Sequence, residues 1–222
     1  MAESNEPEQV WDEYDWERFL QQQDRKTERY MELLEKYIDD PNRDEIIARE
    51  MGWPQPVESV DFDWSEVSFD ASSEDEDDDF DEEDDEDEDT DGIPESFELH
   101  PLYQASFALT VWLDQLFDEL DGEVQNQPAA VKLATSSAVA SSKLAAALSD
   151  DDVEEIGMTI AYLKRGLKAI TNAIDASLVF GEEVKLSSHR RRQLHARLFQ
   201  VRDGIIELMG DYRNQWRRRY GA

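Results

Sequence analysis

The chain's imidazoles are confined to His100, His189 and His195, and it has no cysteine. Imidazole titrates nearest to neutral pH of all side chains and is the commonest metal ligand. Acid–base or metal chemistry would therefore be sought first at these three positions. A di-metal carboxylate bundle presents Glu-x-x-His pairs inward, yet none of these histidines has a glutamate three residues before it. The lack of cysteine removes disulfides, thiolate nucleophiles and thiolate metal sites together, and is compatible with a reducing compartment. The chain also lacks a glycine-rich phosphate loop, a Gly-x-Ser-x-Gly elbow and a His-Glu-x-x-His pair. Asp114 and Asp118 lie one helical turn apart, but on the apolar stripe of their segment both point outward. The expectation is a non-enzymatic protein with no catalytic residue, no metal and no cofactor.

Charge is the chemistry that the sequence does concentrate. Sixteen of the nineteen residues at 73–91 are Asp or Glu, and none is Lys or Arg. Residues 1–99 hold 39 acids and 7 bases, whereas 100–222 hold 16 acids and 15 bases, so nearly all of the net −33 lies in the first half. Neighbouring carboxylates sit well inside the Debye length of about 8 Å at physiological salt. Phe80 alone cannot offset the entropy of ordering such a run, so it is expected to be an extended, self-repelling tether. Just before it, Val60, Phe62, Trp64, Val67 and Phe69 are interleaved with acids and serines. That alternation suits an added strand, an extended peptide in a groove, or a disordered interaction segment. Phe62, Trp64, Phe69 and Phe80 with Asp77 and Asp85 are thus the candidate residues for holding a basic partner. The plain alternative is that the run is a solubilising spacer.

The opposite charge gathers in one segment. Residues 185–219 carry ten bases, among them Arg190, Arg191, Arg192, Arg217, Arg218 and Arg219, against three acids. Cations at a helix C-terminus complement its dipole by roughly 0.3 to 1 kcal/mol, which accounts for the terminal arginines. Arg190, Arg191 and Arg192 fall in the first turn, where the dipole opposes them, and are the better candidates for binding phosphate.

These residues must be positioned by helices. Residues 11–39 have Trp16, Phe19, Leu20, Tyr30, Leu33, Leu34, Tyr37 and Ile38 at helical spacing around a polar middle. The helix is expected to bury its two ends or to dock with a partner. A second helix at 43–51 is capped by Asn42 and ended by Gly52 and Pro54. The words at 46–52 resemble the start of a helix-turn-helix, but Trp53-Pro54-Gln55-Pro56 cannot begin a recognition helix.

From His100 the apolar spacing becomes sustained. Helices are predicted at 101–120, with Leu102, Leu109, Trp112, Leu113, Leu116, Phe117 and Leu120 as its stripe and Asp121-Gly122 as its stop, and at 128–148, with Ala130, Ala134, Ala138, Ser141 and Ala145 as small, close-contact positions. A third runs from a Ser149-Asp150 cap with a stripe of Val153, Ile156, Ile160, Leu163, Leu167, Ile170, Ile174 and Leu178, and a fourth at 187–219 carries Leu194, Leu198, Val201, Ile205, Leu208, Tyr212 and Trp216. Short links make an antiparallel, up-down-up-down four-helix bundle the economical arrangement. The fold class is then all-α. A helical N-terminal arm at 1–56 and a disordered acidic linker at 57–99 precede the bundle domain at 100–222. In such a bundle Arg213 and Arg217 to Arg219 would lie where the acidic tether joins, with a loose, salt-screened contact between them.

The acidic start at 1–9 carries no secretory signal and no run of eighteen apolar residues occurs, so no membrane contact and a cytoplasmic location are expected. The leading reading is a scaffold protein whose acidic-aromatic arm binds a basic partner protein. The alternative is a nucleic-acid-associated regulator that uses the basic helix at 187–219, with the acidic run as a competing mimic. Oligomeric state is not legible.

Overall fold

The computed structural model describes residues 10–53, 96–149 and 155–221. Among these the chain is all-helical and without strands. The helices are α1 (Glu13–Lys36), α2 (Arg43–Met51), α3 (Pro101–Asp118), α4 (Gly122–Gln125), α5 (Pro128–Leu148), α6 (Ile156–Glu183) and α7 (Ser188–Tyr220), with a single 3-10 turn at Ser96–Leu99. No helix of the described residues is long and apolar enough to cross a membrane. Two compact units are distinguished, one of residues 1–20 with 94–222 and one of residues 21–93.

In the larger unit one apolar core joins α3, α5, α6 and α7. Helix α5 packs on α3 and on α6, and α7 packs on α6 and on α3. The core of α3 is Leu102, Leu109, Leu113 and Leu116, as the stripe predicts, with Ser106 buried among them. The Ser106 hydroxyl meets that of Ser141 on α5 at 2.7 Å. In α6 Leu163 and Ile170 are fully buried, as their spacing requires. In α7 Leu194, Leu198, Val201 and Ile205 are likewise buried.

Two stripe positions differ from expectation. Ala138, expected at a close helix contact, is exposed, and Leu178 is 52% exposed. Both errors come from stepping repeatedly by four residues, which drifts about 40° around the helix at each step. The buried face of α5 instead alternates its steps through Ala130, Leu133, Ser137, Ala140, Ser141, Leu144 and Ala147. Close approach occurs at Ala140, whose carbonyl oxygen lies 3.8 Å from where a β-carbon on Gly166 of α6 would sit. In α6 the face turns past Ala176 and Ser177 to Phe180.

Helix ends follow local chemistry. Pro101 opens α3, and His100 caps it through Nδ1, which accepts from the Leu102 N–H at 3.2 Å. Asp121-Gly122, expected simply to stop that helix, starts α4. The Gln125 amide there donates to the Phe117 and Leu120 carbonyls at 2.9 and 3.0 Å, satisfying acceptors that a helix end leaves open. Ser187 caps α7 by accepting from the Arg190 N–H.

Helix α1 starts with a reciprocal cap. The Asp12 carboxylate accepts from the N–H groups of Tyr14 and Asp15 at 2.8 and 2.9 Å, and Asp15 accepts from the N–H of Asp12 at 3.3 Å. Its polar middle is largely exposed, with Leu20 and Leu33 buried on either side. In the smaller unit Asn42 occupies the cap position of α2 without a side-chain capping bond, and Gly52 ends the helix at φ 69°.

Candidate interaction surfaces

The length of α7 decides what its basic residues can do. Near its middle, Leu102 at the start of α3 fills the space that a β-carbon on Gly204 would need. Sixteen more residues carry α7 to Tyr220, about 24 Å further at 1.5 Å each. Over that stretch the start of α1 lies against α6 and α7. The carbonyl of Trp11 and the ring of Trp16 meet Gly157, where a β-carbon would come within 2.4 Å of the Trp11 oxygen. Trp11, Trp16 and Phe19 stack edge-on with centroids 5.0 to 5.9 Å apart.

Two forked ion pairs fasten this seam. Arg213 on α7 donates from Nε and Nη2 to the two oxygens of Glu13 at 3.2 and 2.8 Å. Arg165 on α6 does the same to Glu17 at 3.1 and 3.4 Å. Lys164 adds a contact to Glu13 at 3.7 Å and lies 4.4 Å above the Tyr14 ring. A cleft of about 280 Å³ runs beside these groups, lined by Asp12, Glu13, Tyr14, Ile160, Arg213, Trp216 and Arg217. Its wall carries two acids and two arginines.

The predicted basic clusters remain apart, with Arg191 and Arg217 about 39 Å from each other along α7. Arg190 pairs with Glu119 at the end of α3. Arg191 donates from Nε and Nη2 to the Leu186 carbonyl at 3.2 and 3.1 Å, and Arg192 donates to the Ser188 carbonyl at 3.2 Å. Arg217 donates to the Arg213 carbonyl and to Asn214, while Arg219 lies over the Tyr220 ring. Arg218 is exposed. Among the described residues the guanidinium of every cluster member except Arg218 therefore contacts its own fold. Comparison with protein-family models, curated proteins and solved structures finds no match.

The histidines are not brought together. His100 is a helix cap, His189 is exposed, and His195 stands edge-on to Phe199 at 6.4 Å. Asp114 and Asp118 are exposed, as expected. Among the described residues no group of three or more His, Asp or Glu is placed to hold a metal ion. The carboxyl of Asp15 is held below its ordinary value by the Asp12 backbone N–H and then by Arg18. Arg43 is held above its ordinary value by its hydrogen bond to Asp44. The arm candidates Phe62, Trp64, Phe69, Asp77, Phe80 and Asp85 lie outside the described residues, as does the acidic run expected near the terminal arginines.

The seam between α1 and α6–α7 was not anticipated. Glu13 and Glu17 are one turn apart, and Lys164-Arg165 places two adjacent cations on α6, which is the signal that the sequence did carry. Pairing them across about 150 to 200 residues needs the fold.

The smaller unit carries an open apolar surface. Met31, Leu34 and Ile38 border a groove of about 680 Å³ together with Glu28, Glu32, Glu35 and Arg43. Met31 is 58% exposed and Ile38 66%.

Proposed function

We propose that this chain is a non-enzymatic, cytoplasmic scaffold whose acidic, aromatic-bearing segment at 57–99 binds a basic partner protein. The observation that carries this reading is the charge asymmetry: 39 acids against 7 bases in residues 1–99, beside a nearly neutral remainder. A polyanion of that density raises the local concentration of basic surfaces and speeds their encounter. Phe62, Trp64, Phe69 and Phe80 would supply the apolar contacts that convert attraction into a specific complex.

The remainder would be the rigid body from which this arm projects, an up-down-up-down four-helix bundle of α3, α5, α6 and α7. In support, Ser106 meets Ser141, Ala140 approaches Gly166, Gly181 approaches Arg191, and Glu119 pairs with Arg190. Each of these pairs, taken with the helix bounds, fits an antiparallel neighbour.

The alternative of nucleic-acid binding through α7 rests on its nine arginines. It is weakened by the own-chain contacts of Arg190, Arg191, Arg192, Arg213 and Arg217, because phosphate would have to displace them. Affinity capture with the full chain and with a variant lacking residues 57–91 tests both readings, once the captured protein is purified and its binding remeasured. Loss of a basic partner on deletion supports the arm. Equal binding by both forms overturns it, and nucleic-acid binding gained on deletion supports the alternative.

A further inference from the structure

The groove on the smaller unit presents one apolar floor and one acidic rim. Glu28, Met31, Glu32 and Glu35 recur at three- and four-residue steps on α1 and so share a face. The positive charge of Arg43 is already met by Asp44, which accepts from its Nε at 2.9 Å. Glu32 lies 3.6 Å from Arg29. Glu28 and Glu35 have no ion pair among the described residues. Large apolar side chains left open beside a polar rim mark binding surfaces, and methionine adapts its shape to what it receives.

We propose that this groove docks a basic amphipathic helix of a partner protein. The apolar face of that helix would lie on Met31, Leu34 and Ile38, with Lys or Arg opposite Glu28 and Glu35. Charge complementarity selects this occupant. The chain's own apolar stretch at 57–70 carries Glu58, Asp61, Asp63, Glu66 and Asp70 with no base, and a second copy would bring the same acidic rim. Both would be repelled. The inference rests on the reading that the partner is basic, and adds to it a second contact that demands an apolar helical face.

The probe is a labelled synthetic peptide of about 18 residues, long enough to form a helix, with leucines on one face and lysines on the other. A scrambled peptide of the same composition is the control. Fluorescence anisotropy at physiological salt compares the full chain with Met31→Glu/Ile38→Glu and with Glu28→Gln/Glu35→Gln. The first variant should bind the amphipathic peptide at least about tenfold more weakly, a difference of roughly 1.4 kcal/mol, and the scrambled peptide as before. The second should weaken binding at low salt and match the wild type at high salt. If the first variant loses helical circular dichroism, the second decides.

In a chain lacking residues 57–91 the loss caused by Met31→Glu/Ile38→Glu should persist, which separates failure of the groove from failure of the arm. Equal binding by wild type and both variants overturns the proposal. So does tighter peptide binding on removal of 57–70, which would make the chain's own segment the occupant. A wild-type dimer that becomes monomeric in Met31→Glu/Ile38→Glu would overturn it in favour of a second copy.

Discussion

Both carboxylate oxygens of Glu13 accept hydrogen bonds from the Arg213 guanidinium, across 200 residues of chain. A forked arginine–carboxylate pair is stronger and more directional than a single charged bond. The Glu13 side chain is only 14% exposed, and Arg213 37%, so salt screens the pair less than it screens a pair in open water. Glu13→Gln is expected to cost about 1 to 3 kcal/mol of stability. Arg213→Lys keeps the charge and loses the fork, and should recover about half of what Arg213→Ala loses. Urea unfolding of the single and double variants measures the coupling. Additive losses would mean that the fork contributes nothing.

Gly157 and Gly210 should respond oppositely to alanine. At Gly157 the new methyl would meet the Trp11 carbonyl at 2.4 Å, whereas at Gly210 nothing lies within 4 Å. Gly157→Ala should therefore cost about 1 to 3 kcal/mol and change the environment of Trp11 and Trp16. Gly210→Ala should gain up to about 1 kcal/mol through helix propensity. Thermal unfolding of the two variants, with near-ultraviolet circular dichroism for the tryptophans, checks both signs.

The register of α5 and α6 gives a third test. Leu163→Ala and Ile170→Ala should each cost about 2 to 5 kcal/mol, while the exposed Leu178→Ala should change stability by less than about 0.5 kcal/mol. Likewise Ala140→Leu should overpack the core by about 1 to 3 kcal/mol, and Ala138→Leu should be tolerated. Chemical denaturation of the five variants reads this directly.

What the sequence made legible was the periodic part of the fold. The stripes of α3, α6 and α7 named Leu113, Leu163, Ile170 and Leu198 as core because alternating three- and four-residue steps hold a single face. The same reading misplaced Ala138, since small residues are common on both faces of α5 and offer no contrast to fix its phase. The cap at Asp12 and Asp15 escaped notice because it uses two aspartates where Ser or Thr with Glu is the usual signal. The seam residues Glu13, Glu17, Arg165 and Arg213 were visible only as charges on separate helices.

The Ser106–Ser141 contact gives a fourth test. Either serine changed to alanine leaves one hydroxyl buried without its partner, at a cost of about 1 to 3 kcal/mol. The double variant should lie within about 1 kcal/mol of wild type, because no hydroxyl is then stranded. A double variant that loses the sum of the two singles would show that the bond contributes net stability of its own.

The overshoot of α7 beyond Gly204 bears on the timing of folding. On the ribosome, residues 11–20 are made about two hundred residues before Arg213, the group that holds them. Long-range closures form late, because the loop entropy is spent before the contact rewards it. Trp11 and Trp16 meet Gly157 of α6, so this early-made segment waits for α6, and its full seam forms only when α7 has followed. Asp12, Glu13, Asp15 and Glu17 flank those aromatics, and charge beside apolar side chains would favour their solvation until the late-arriving seat exists.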